Sequence, residues 1–186
     1  MTPVRDHQRQ RCYDAESSAF GGTTMAVDLD WESVVALVAT VTHHPWWRGL
    51  GAPPPRLARA RTDARRSVAD GVTIRIARDG QQALTVVHEL AHHLTTRLGR
   101  PDPGHGAWFR STELELVRLV AGDLPHCQLA EAFAHHGLQV ERWDRPPSAA
   151  THRCDALVHA GPGRLLGAVP LPAATEPADT ATGGGE

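Results

Sequence analysis

The residues of this chain whose types and spacing are best suited to chemistry are His88-Glu89-Leu90-Ala91-His92, an HExxH pattern. On a helix, positions four apart project within about 40° of each other, so both imidazoles can reach one Zn²⁺ at ~2.0–2.1 Å. Glu89 lies beside them, within reach of a water on that ion rather than of the ion itself. The metal lowers the pKa of such a water toward neutrality, and Glu89 is placed to take its proton as it attacks a carbonyl. With 12 His and 9 Glu in 186 residues, random placement would give about 0.04 such matches per chain. Context argues against chance: the pattern follows a strand-like segment and sits inside an uninterrupted helical run, and another histidine follows a Gly/Pro turn.

A catalytic zinc takes three protein ligands and keeps one position open, so a third ligand is required. The extended pattern HExxHxxGxxH fails, because Thr95 stands where its Gly would be and Leu98 where its His would be. His105 is preferred: it lies after a turn that reverses the chain and can fold back over His88 and His92. The alternatives are Glu113 and Glu115 on the next helix, and Asp102 in the turn. His93 points about 100° away from His92 on a helix, which suits a supporting or surface role. His43-His44 and His135-His136 fall at expected helix ends, where a helix C-terminus favours imidazolium.

These side chains need a scaffold. Asp6 to Phe20 reads as a helix with Arg9, Tyr13, Glu16 and Phe20 on one face, ended by Gly21 and Gly22. The simplest reading of that face is packing, with Arg9 and Glu16 paired; the other is that Tyr13 or Arg9 holds an oxyanion near the metal. Asp30 is a candidate N-cap for a second helix carrying Trp31, Val34, Val35, Val38 and Val41 as its apolar stripe. Pro45 should stop it, leaving residues 46–55 as a loop. Arg56–Arg61 and Val72–Ile76 read as strands, paired antiparallel across a turn over residues 63–71. Gln82 to Leu98 is the active-site helix, with Leu84, Val87, Leu90, Ala91, Leu94 and Leu98 on its packed side, and Gly99, Pro101, Pro103 and Gly104 after it. Two further helices are expected from about 106 to 120 and from about 127 to 136. The expected fold class is α+β: a short antiparallel sheet packed on the HExxH helix, with flanking helices.

Composition bounds the rest. The 41% of apolar residues and 22% of charged ones suit a folded domain, expected over residues 4–142. The Pro-, Gly- and Ala-rich stretch from 143 to 186 reads as a largely disordered tail. The formal charge of −2 exerts no global pull toward nucleic acid or membrane, and all 19 basic residues are Arg, which excludes lysine chemistry. Residues 1–11 carry Arg5, Asp6, Arg9 and Arg11 and do not read as a secretory signal, and no run reaches the roughly 18 apolar residues of a membrane helix. Cys12, Cys127 and Cys154 form no CxxC pair, so a cysteine-built zinc knuckle is not expected. Their odd number argues against a disulfide framework, and a cytoplasmic location is the expectation.

Arg5-Asp6-His7-Gln8-Arg9, followed by Tyr13 and Ala15-Glu16, resembles the opening RDxQRxxxYxAE of a family of HExxH metallohydrolases from high-GC Gram-positive bacteria and their phages. The likeness continues through His88-Glu89-Leu90-Ala91-His92-His93-Leu94 and His105-Gly106 with Phe109, and runs from about residue 4 to about 141. HG followed by an aromatic is shared with SprT-like minimal zincins. The chain departs from the pattern at Gly106-Ala107-Trp108, where a Pro and an acidic residue are common, and at Cys12, where Val is usual. The resemblance implies a minimal zincin-type fold holding one Zn²⁺ through His88, His92 and His105, with Glu89 as catalytic acid. It implies metal chemistry more strongly than cleavage of any particular bond.

The expected function is therefore a zinc-dependent hydrolase, in the first instance a metallopeptidase acting on a peptide or protein. The alternatives are a non-catalytic protein whose zinc fixes the fold, and a nucleic-acid-associated SprT-like protease. For the last, Arg56, Arg59, Arg61, Arg65 and Arg66 form a basic cluster. No cysteine zinc ribbon and no aromatic–basic interleaving accompany it, so a nucleic-acid partner is not expected.

Overall fold

The computed structural model describes residue 6, residues 8–100 and residues 104–143. Asp102, Cys154 and the tail expected beyond Trp143 lie outside the described residues.

Capping chemistry and Gly/Pro punctuation set most boundaries. Helix α1 spans Arg9–Phe20 and starts later than the apolar spacing suggests, because the Asp6 side chain accepts from the Gln8 amide (3.2 Å) and turns the chain ahead of the helix. Asp30 caps α2 (Trp31–His43), accepting from the Ser33 amide at 2.7 Å. Val34, Val38 and Val41 of its stripe are buried, whereas Val35 faces solvent. The loop expected after Pro45 begins instead with a short helix, α3 (Pro45–Gly49). Proline at the first helical position surrenders no hydrogen bond and has the right φ, and His44 Nδ1 accepts from the Trp46 amide (3.2 Å). The turn drives Trp46 and Trp47 into the core.

The sheet corrects a second expectation. Strands β1 (Arg56–Arg59), β2 (Val68–Ala69) and β3 (Thr73–Ile76) lie in the order β1-β3-β2. β1 pairs parallel to β3, with Arg56 opposite Thr73 and Arg59 opposite Ile76. The antiparallel partner of β3 is β2, inside the segment expected to be a turn. A parallel pair needs a crossover of a dozen or more residues, and residues 60–72 supply it. The β2–β3 hairpin closes on Asp70, whose side chain accepts from the amides of Val72 and Thr73, and on Gly71 at positive φ. Ile74 and Ile76 point to the core while Arg75 points out, the period-two alternation of a half-buried strand.

Helix α4 (Ala83–Arg97) lies against β2, β3 and α2, and packs most extensively on α5 (Ala107–Ala121). α6 (Asp123–His135) begins earlier than expected, directly after Gly122, and packs on α1 and α5. The common core includes Phe20, Val34, Trp47, Ile74, Leu90, Leu94, Phe109, Leu116 and Phe133. Burying each large apolar side chain is worth about 1.5–3 kcal/mol. Among the described residues the fold is thus α+β, with six α-helices and a mixed three-stranded sheet. None of those helices is long and apolar enough to cross a membrane.

Candidate metal centre

Helix α4 carries His88, Glu89 and His92 on one side of its middle turns. Val87, Leu90, Ala91 and Leu94 fix its rotation in the core. His105 arrives from the α4–α5 connection, immediately before α5. Every pair of these three imidazoles has ring centroids within 5.0 Å, and their donor atoms lie within 4.8 Å of one another. His88 Nε2 and His105 Nε2 stand 3.1 Å apart. Two nitrogens bound tetrahedrally at ~2.0–2.1 Å would be separated by about 3.3 Å, so this spacing fits one small ion. His88 and His105 are almost fully buried, and Phe109 closes the cluster with its ring 4.2 Å from His92.

The opposite ring nitrogens are already engaged. His88 Nδ1 lies 2.9 Å from Glu16 Oε1 and 3.4 Å from Glu113 Oε1. His105 Nδ1 lies 2.5 Å from Asp6 Oδ2, and the same oxygen accepts from the His105 amide at 3.2 Å. Donating Nδ1–H to a carboxylate fixes the tautomer and leaves Nε2 as the ligand atom. His88 and His105 thus have Nε2 free to face the centre of the cluster. A group able to hold a metal ion, His88, His92 and His105, is brought together by the fold.

The electrostatics follow from burial. Burial works to lower His88, but Glu16 and Glu113 outweigh it and hold the ring well above its ordinary value. Burial, with the neighbouring His88 and His105, pushes His92 down to about 2, so that ring stays neutral. Burial also lowers His105 against the opposing pull of Asp6. Burial works to raise Asp6, but its hydrogen bonds with His105 and Gln8 hold it below the ordinary carboxylate value. Burial, reinforced by Glu16 and opposed by His88, raises Glu89 to about 7. Glu89 is 6% exposed and lies outside the group of donor atoms that converge. It lines a cleft of about 400 Å³ together with Tyr13, His88, Leu84, Arg65 and Asp79.

The alternative third ligands fall elsewhere. Glu115 pairs with Arg118 (3.0 Å) at the far end of α5. Glu113, fully buried, sits behind His88 and groups with Cys12 and Glu16; burial and the charge of Glu16 push it up. Cys12 is a free, buried thiol whose Sγ reaches Glu16 Oε1 at 3.5 Å. His93 is buried rather than on the surface: its Nε2 meets the Pro53 carbonyl at 3.0 Å, and its ring stacks on Trp47. His43 instead turns back to the Ala39 carbonyl, 2.7 Å away.

The expected Arg9–Glu16 pair is replaced by two other contacts. Arg9 lies over the Tyr13 ring, and Glu16 turns inward to His88. Tyr13 sits against both His88 and His105, 5.4 and 5.3 Å between centroids. Spacing could place Glu16 on an inner face, but not against a histidine 72 positions away. Asp6 and Arg110 escaped for the same reason. Arg110, 2% exposed, donates to the carbonyl of His105, to Gln8 Oε1 and to the Gln139 carbonyl. It thereby joins the loop that carries His105 to the start of α1 and to the segment after α6.

No protein-family model, no curated protein and no solved structure matches the chain, so the site stands on its own geometry.

Proposed function

We propose that this protein is a zinc-dependent hydrolase of the minimal zincin type, acting on a peptide or amide bond. The observation that carries this reading is the separation of roles at one place. Three imidazoles converge through atoms that can hold one ion, while Glu89, next to His88 in sequence, stays outside that group and opens on the adjoining cleft. A purely structural metal site has no use for such a carboxylate. The likeness of the segments at 5–16, 88–94 and 105–109 to HExxH metallohydrolases supports the same reading.

A zinc ion held by His88, His92 and His105 would supply Lewis-acid activation of a water and of a carbonyl. The chain supplies the rest. Glu89, raised to about 7 chiefly by burial, can both accept and release a proton near neutral pH. It takes the proton that a water gives up on attacking the amide carbonyl. It then delivers that proton to the departing amine, so the C–O bond forms, the C–N bond breaks and the carboxyl group returns to its starting state.

A nucleic-acid role is not part of this proposal. Within the basic cluster, Arg61 pairs with Asp63 and Arg59 lies over Trp31, so two of its five members are engaged locally.

The test is Glu89→Gln in zinc-reconstituted protein, assayed against a broad peptide library. Zinc content should be unchanged and turnover should fall by about 10²–10⁴-fold. Equal activity of the variant and the wild type on a confirmed substrate would remove Glu89 from the mechanism.

A further inference from the structure

We infer that Asp6 and Glu16 are part of the metal centre, acting as positioning residues that set metal affinity by orienting His105 and His88. This rests on the metal-site reading above and adds a role for residues that lie far from the HExxH helix in sequence.

Each ligand needs a fixed tautomer and a fixed ring orientation. An imidazole can present either nitrogen, and an unheld ring on a helix or loop rotates about two side-chain bonds. A hydrogen bond from Nδ1–H to a carboxylate removes both freedoms, and loss of such a partner typically lowers metal affinity 10–100-fold. Two of the three candidate ligands have this arrangement here, and both carboxylates come from one short stretch of chain. Glu16 meets His88 Nδ1 at 2.9 Å, and both side chains are nearly inaccessible. Asp6 meets His105 Nδ1 at 2.5 Å. Tyr13, between them in sequence, lies against both rings.

Three further features show that the arrangement is built in. Asp6 also accepts from the amides of Gln8 and His105, so its carboxylate is held from two sides. Gly104 lies at φ +68°, and a Cβ there would strike the Asp6 carboxylate. Arg110 ties Gln8 to the His105 carbonyl, fixing the distance between the leader of α1 and the third-ligand loop. His92 lacks a comparable carboxylate partner among the described residues, and it is held instead between Phe109 and the other two rings.

The experiment measures zinc affinity of the full chain by competition with a chromophoric chelator, for wild type, Asp6→Asn and Glu16→Gln. It is paired with the absorption spectrum of the cobalt(II)-loaded forms and with melting of the metal-free proteins. Each variant should bind zinc about 10–100-fold more weakly, show an altered cobalt ligand-field band, and melt without metal close to wild type. Asp6→Glu, which restores a carboxylate, should recover part of the affinity. Wild type binding tightly with both variants equal to it overturns this inference and leaves the metal site standing. Variants whose weaker binding is matched by collapse of the metal-free fold also overturn it, because the role is then structural. A wild type that binds no zinc fails the metal-site reading itself, which is a distinct result.

Discussion

Glycine 104 illustrates how narrowly individual residues define this site. Its φ of +68° is one that a side chain adopts only under strain, and the space a Cβ would occupy is filled by the carboxylate that holds His105. Gly104→Ala should therefore destabilise the protein by about 1–3 kcal/mol and weaken zinc binding together with it. Urea unfolding and a zinc competition assay would register both, and an unchanged midpoint with unchanged affinity would contradict the assignment. The HExxH pair is legible from sequence because helical spacing alone places two histidines on one face. His105 is legible because a Gly- and Pro-rich stretch, which disfavours continuation of the helix, precedes it in the sequence. The carboxylates behind the rings are not legible in this way. Glu16 and His88 are joined only by the tertiary packing of α1 against the core, and no local periodicity encodes that. The opening motif did flag Asp6, Gln8, Tyr13 and Glu16 as a set. Their common purpose becomes visible only when Asp6 is seen on His105, Gln8 on Arg110, and Glu16 on His88.

Helices and strands position these groups with different degrees of local specification. α2 and α4 follow directly from a capping aspartate, apolar spacing and terminal Gly or Pro. β1 does not: its partner is parallel, and pairing direction is set by the crossover and by a two-residue strand too short to carry a pattern of its own. α3 was hidden by its Trp, Gly and Pro content, although proline at a helix start is a favourable signal. The connection between α5 and the segment after α6 depends on one buried guanidinium. Arg110 serves Gln8, His105 and Gln139, and Ser111 adds a bond to the Glu141 carbonyl. Arg110→Met keeps most of the apolar stem and strands these acceptors. It should cost about 2–5 kcal/mol by denaturant unfolding; a loss below about 0.5 kcal/mol, the usual scale for a surface substitution, would show that the junction is not held this way.

At the scale of the molecule, the candidate metal site lies at a junction of elements. α1, α4, the α4–α5 connection and α5 each contribute a group to it, while the loop before β2 and the turn just after β3 line the cleft together with α1 and α4. A ligand that binds the folded form alone stabilises it by mass action, about 2.7 kcal/mol at a free concentration one hundred times Kd. The overall class, α+β around an HExxH helix, was readable because each long helix carries its own periodicity. The mixed sheet was not, because pairing is a property of the assembled chain. Convergence of three imidazoles on one ion is measured most directly by zinc titration of metal-free, tag-free protein with elemental analysis. One equivalent should bind, and His88→Ala, His92→Ala and His105→Ala should each abolish stoichiometric binding while Glu89→Gln retains it. No stoichiometric zinc in the reconstituted wild type, or full retention in any of the three histidine variants, would contradict it.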